Sequence, residues 1–148
     1  VGLQAEIDQN LKNALKSGNK FEAATLRGLK SAIKYAEIDK GSELDDAGIL
    51  DVVVKQAKQR RDSMTEFEKA GRTDLVEQEA AELAILEQYL PAQLSEDEIK
   101  ARVQAVIDEL GVTDMKGMGQ VMQRIMADLK GQADGKVVSQ IVRQLLSP

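Results

Sequence analysis

With 148 residues, a net charge of −5 and neither cysteine nor histidine, the chain is barred from disulfides, from zinc sites built on Cys or His, and from thiol or imidazole catalysis. Its aromatic residues are Phe21, Tyr35, Phe67 and Tyr89, so any core beyond Tyr89 must be aliphatic and methionine-rich. The acidic total argues against a nucleic-acid partner, yet the charge is uneven. From Met115 onward Lys116, Arg124, Lys130, Lys136 and Arg143 stand against Asp128 and Asp134; five minus two leaves +3 there and −8 before it.

The first twenty residues carry Glu6 and Asp8 among scattered apolar positions. They read as neither a signal peptide nor a membrane span, and a cytoplasmic protein is expected. Leu3, Ile7, Leu11, Ala14 and Leu15 recur at helical spacing and Ser17-Gly18 stops them, leaving Lys12 and Lys16 on a solvated face. Leu26, Leu29, Ile33 and Ala36 then alternate steps of three and four across Lys20 to Lys40, the seam of a helix pair. Arg27, Lys30 and Lys34 line its polar face, which reads first as solvated surface and second as a phosphate contact.

Gly41 ends helix two, Asp45 or Asp46 caps helix three, and Gly71 ends that in turn. Helix three carries the stripe Ile49, Val53, Ala57, Met64 and Phe67, interrupted by Arg60. Helix four, from Thr73 or Asp74, carries Leu75, Val76, Leu83, Leu86 and Leu90, interrupted by Glu79. If the two fold back about Gly71, Arg60 meets the level of Glu79 to Glu82. A lone guanidinium at an apolar seam is costly, whereas a paired one fixes which partner it faces. A structural ion pair of Arg60 with Glu79 or Glu82 is therefore expected rather than a binding role.

Pro91 forbids the helix arriving at Leu90 from continuing. Ser95 and Glu98 form a capping box for the next helix, with Leu94 placed to staple its entry. A stop and a start this close predict a hinge. Beyond it, Ile99, Val103, Val106, Ile107 and Leu110 make helix five, ended by Gly111. Thr113 is positioned to cap helix six, whose stripe runs from Met115 through Met118, Val121, Met122, Ile125 and Met126 to Leu129. Gly117 and Gly119 each cost that helix about 1 kcal/mol relative to alanine, a cost close backbone packing would offset; an anion at the helix N-terminus is the other reading. Lys130 to Lys136 is a turn in which Asp134 caps a last helix bearing Val137, Val138, Ile141, Val142, Leu145 and Leu146.

Three stretches carry a family likeness: Phe67 to Leu75, the hinge Tyr89 to Ser95, and Met118-Gly119 through Lys130-Gly131 to Ala133-Asp134-Gly135-Lys136. On these the chain resembles the YqeY family, free-standing relatives of the C-terminal tail of GatB, a subunit of the tRNA-dependent amidotransferase. The likeness covers nearly the whole length. It implies an all-α protein of two domains, residues 1–91 as an N-terminal helical bundle and 92–148 as a three-helix domain. It also implies a tRNA connection, which charge assigns to Lys116, Arg124, Lys130, Lys136 and Arg143. Gln132, where relatives often show Arg, and Asp128 depart from the pattern and lower the positive charge. Catalysis does not come with the likeness, because the glutaminase and kinase-like motifs of the amidotransferase are missing here. A carbon-nitrogen ligase label on the family reads as association with an enzyme.

The expectation is thus a non-catalytic tRNA-binding accessory module with no metal, cofactor or membrane partner, working beside an amidotransferase or an aminoacyl-tRNA synthetase. The alternative is a protein-interaction adaptor that docks through its acidic N-terminal bundle.

Overall fold

The computed structural model describes residues 2–148. Among them the chain is helical with no strand: α1 (Leu3–Ser17), α2 (Lys20–Lys40), α3 (Asp46–Lys69), α4 (Thr73–Glu87), α5 (Glu96–Leu110), a 3-10 turn (Met115–Gly117), α6 (Met118–Asp128) and α7 (Gly135–Leu146). No helix among the described residues is long and apolar enough to cross a membrane. The contacts fall into two compact units, one ending at Leu90 and the other running from Pro91 to Pro148.

In the first unit α1 and α2 fold back on each other, as do α3 and α4. Asn19 caps α2 by accepting the Glu22 amide at 3.1 Å, and Asp45 caps α3 by accepting that of Gly48 at 2.8 Å. These acceptors satisfy amides that the first helical turn leaves without a partner. Between α3 and α4, Gly71 adopts φ +70, a left-handed conformation in which a side chain would be strained. The core joins Ile7 of α1, Leu26, Leu29 and Ile33 of α2, Ile49 and Val53 of α3, Leu86 of α4, and Tyr89 just beyond that helix.

The apolar stripes of α3 and α4 are not buried along their whole length. Ile49, Val53 and Ala57 are the buried residues of α3, and Leu86 is that of α4. Met64, Phe67, Leu75 and Val76 are only half-buried. Toward Gly71 the facing helices are thus less buried than at their Ile49 and Leu86 ends.

The second unit has its own core: Ile99, Val103, Val106 and Ile107 of α5, Val121 and Ile125 of α6, Leu129, and Val138, Ile141, Val142 and Leu146 of α7. Both bonds of the Ser95–Glu98 capping box are present at 3.2 Å, and Leu94 packs against this core. Thr113 is not the cap of the next segment. Asp114 takes that role, accepting the Lys116 amide at 3.0 Å, and a 3-10 turn precedes α6. Gly117 shows why: a β-carbon there would lie 2.2 Å from Val112 Cγ1, whereas one at Gly119 would meet nothing within 4 Å. Close packing therefore accounts for the first glycine and not for the second.

Candidate functional site

In the second unit the five cations assigned by charge are exposed but differ in their surroundings. Lys136 and Arg143 are seven residues apart and so share one face of α7, opposite the buried Val138, Ile141, Val142 and Leu146. Lys116 lies in the 3-10 turn. Arg124 is engaged within the protein: its Nη2 donates to Glu109 Oε1 and Oε2 at 3.1 and 3.0 Å, and its Nε donates to Asp128 Oδ2 at 3.3 Å. Two carboxylates thus surround that guanidinium, and the Glu109 hydrogen bond leads in holding its pKa above the ordinary value.

Lys130 and Lys136 flank the turn between α6 and α7, and this turn is anchored. Gly131 is buried and adopts φ +75, and Asp134 Oδ1 accepts the Lys136 amide at 3.4 Å. The residues after Pro91 lie against the turn. Gln93 Nε2 donates to Gly131 O at 2.7 Å and to Pro91 O at 3.0 Å. The Leu94 amide donates to Gln132 O at 2.9 Å, and Gln132 Nε2 donates to Ala92 O at 3.4 Å. The start of the hinge is therefore part of the second unit, fastened to the segment that carries the two lysines. No periodicity announces these bonds, since they join residues 38 to 40 apart through irregular backbone. They also give Gln132 a partner, at a position where charge alone had marked only a lost cation.

In the first unit Arg60 Nε lies 3.5 Å from Glu82 Oε2 and 3.8 Å from Glu79 Oε2, with each of the three side chains about a fifth exposed. Arg60 Nη1 donates to Gln56 Oε1 at 3.2 Å, but Arg60 Nε and Glu79 Oε2 are buried without a hydrogen bond. Two carboxylates share one guanidinium through charge rather than through a bidentate fork. Burial raises the Glu79 pKa above the usual carboxylate value, the neighbouring Glu82 charge adds to this, and Arg60 opposes it.

One polar contact at the end of α4 escaped the sequence reading. Tyr89 is buried, and its hydroxyl accepts from Asn10 Nδ2 at 2.8 Å. Burial raises its pKa while that bond works the other way. A tyrosine two residues before a proline reads only as part of the helix stop, and nothing at Asn10 points to a partner 79 residues away.

The sequence model of the YqeY family, described as Yqey-like protein, matches residues 4–146. The chain is 42% identical over 109 residues to a Kluyveromyces lactis protein, covering 72% of this chain and 59% of that one. It is 42% identical over 110 residues to a Lachancea thermotolerans protein, covering 72% and 58%, and 32% identical over 148 residues to one from Pyrenophora tritici-repentis, covering 95% and 78%. All three are named altered inheritance of mitochondria protein 41, mitochondrial. The chain thus spans under two thirds of the length of the first two relatives. These names correct the expectation of a cytoplasmic protein. That expectation rested on the first twenty residues, which read as neither a signal peptide nor a membrane span, and a cysteine-free helical core suits any compartment, so neither carries an address.

Proposed function

Because the chain belongs to the YqeY family, we propose that it is a non-catalytic accessory module that binds tRNA and serves tRNA-dependent amidotransfer or aminoacylation. The observation that supports this reading is the anchored α6–α7 turn. Lys130 and Lys136 project from a short segment held by Gln93, Leu94 and Asp134, with Arg143 one face-repeat further along α7. Cations on a prearranged segment lose little freedom when they meet phosphates. Arg124 contributes little, since Glu109 and Asp128 already neutralise it. No aromatic residue lies beyond Tyr89, so recognition rests on shape and backbone rather than on stacked single-stranded bases.

The test is tRNA binding by the full chain as a function of salt. If about three phosphates are neutralised, affinity falls roughly fortyfold between about 50 and 200 mM salt, using the B-DNA slope as a guide. Reversing Lys130 and Lys136 to Glu together abolishes binding, while reversing Lys12 and Lys16 does little. Binding that ignores salt, or that survives both double substitutions, sinks the reading. A chain without cysteine or histidine also has neither the thiol nor the imidazole that glutamine hydrolysis commonly uses. The purified protein is therefore expected to release no ammonia from glutamine; turnover that persists through further purification would show otherwise.

A further inference from the structure

The N-terminal part of the chain is acidic in sum, yet the outward face of α2 is not. Lys20, Arg27 and Lys34 stand seven residues apart, on one line of the helix. All three are exposed, and none makes an ion pair among the described residues. Lys30, off this line, is taken up by Asp8 at 2.8 Å. The acids of α2 lie elsewhere: Glu22 accepts from Asn19, Glu37 takes the Leu44 amide, and Asp39 sits on the wall of a groove between α2 and α3.

Tyr35 and Ile38 lie along the same outward face, 76% and 70% exposed. Beside them the groove encloses about 460 Å³, with Ala32, Ala36 and Val52 on its apolar part and Asp39, Lys55, Gln56 and Gln59 on its polar part. Gly28 is the further sign. It stands in the middle of a 21-residue helix, where glycine is among the poorest helix formers, and a β-carbon there would meet nothing within 4 Å. The fold itself draws no packing benefit from this glycine.

We infer that the outward face of α2 is a docking surface for an acidic amphipathic helix of a partner protein. Charge complementarity selects the sign of the partner: a line of three unpaired cations with no acid on it. Exposed Ile38 and Tyr35, with the apolar part of the groove at Ala32, Ala36 and Val52, select the kind of partner, because they call for aliphatic side chains, which a phosphate backbone does not bring. Ser31 and Gly28 keep the middle of the face slim, so that a second helix can approach closely. This surface lies in the first unit and does not depend on the tRNA reading of the second.

The experiment pans the full chain against displayed 20-residue helices that share a fixed apolar stripe, with the flanking positions randomised among Glu, Gln and Lys. The expected winners carry Glu at the flanks. As synthetic peptides they bind at least tenfold more weakly to an Arg27→Glu/Lys34→Glu protein, which instead gains affinity for the Lys-flanked version. A Gly28→Met protein also binds at least tenfold more weakly although its Tm rises, since methionine is the better helix former; no loss of folding explains that pair of results. Winners with basic or neutral flanks, no winners at all, or binding unmoved by both substitutions overturn the inference. A tRNA affinity lost on Arg27→Glu/Lys34→Glu with no peptide selected gives the face to nucleic acid and overturns it as well. So does a dimer in sedimentation that Gly28→Met dissociates, which would make the occupant a second copy.

Discussion

Arg60 shows how a single residue type is both legible and not. Its place in an apolar stripe points to carboxylates across the hairpin, and the structure sets Glu82 and Glu79 at 3.5 and 3.8 Å. That both crowd it, and that neither hydrogen-bonds to its Nε, depends on side-chain positions that periodicity does not specify. Replacing Arg60 with Ala leaves two half-buried carboxylates without their cation, and a loss of about 1–3 kcal/mol is expected by denaturant unfolding, below the range for fully buried pairs. Glu79→Gln should act the other way. A carboxyl whose folded pKa is raised binds its proton more tightly when folded, so it lowers stability as pH rises from the unfolded value of 4.5 through the folded one. Unfolding measured across pH should show Glu79→Gln more stable than wild type at neutral pH, with that advantage gone below the unfolded value. Equal pH profiles would show that Glu79 carries no net penalty. The two glycines of the α6 entry should also part company. Gly117→Ala forces a β-carbon onto Val112 and should cost about 1–3 kcal/mol, whereas Gly119→Ala meets open space and should gain up to about 1 kcal/mol. Thermal melts of the two proteins that shift in the same direction would refute this.

At the scale of elements, the helix boundaries follow from local chemistry. Asn19, Asp45, Ser95 and Asp134 each accept an amide at a helix start, and Gly18, Gly41 and Gly111 close helices in the left-handed region. Competition between neighbours decides the exception. Thr113 and Asp114 are both able to cap, and the approach of Val112 to Gly117 favours the tighter turn that Asp114 starts. The hinge changes meaning for a related reason. A proline followed by a capping box describes a break in the helix, but whether that break is loose depends on what lies near it. Here Gln93, Leu94 and Gln132 hold it against the α6–α7 turn, whereas the loop from Gly41 to Asp45 has the Leu44 amide bound to Glu37 and the Asp45 cap. Limited proteolysis of the full chain should therefore cut between 41 and 45 before it cuts between 91 and 95. Gln93→Ala should expose the second site, and an unchanged cleavage pattern in that variant would show that the side chain does not hold the segment.

For the whole molecule, the two apolar clusters share no residue: one draws on residues up to Leu90 and the other on Leu94 onward. We propose that each unit folds by itself. Fragments 1–90 and 91–148 should each give a helical spectrum and a cooperative melt, and amide resonances of the second should overlay those of the same residues in the full chain; an unfolded 91–148 fragment would show that its core needs the first unit. That the chain is all-helical among its described residues, where most of its helices begin and end, and which stripes of α2, α5, α6 and α7 turn inward follow from residue order, because caps, glycine stops and 3.6-residue periodicity act within a few residues of the chain; the start of α6 and the end of α4 at Glu87 do not. Tertiary structure decided the rest. It left the outer ends of α3 and α4 half-buried, neutralised Arg124 with Glu109, fastened Gln93 to Gly131, and left Gly28 facing open space beside three cations that make no ion pair among the described residues. Each of these depends on which side chains arrive from far along the chain, and a charge or a glycine is spelled the same way whether its neighbour is a carboxylate, a backbone carbonyl or water.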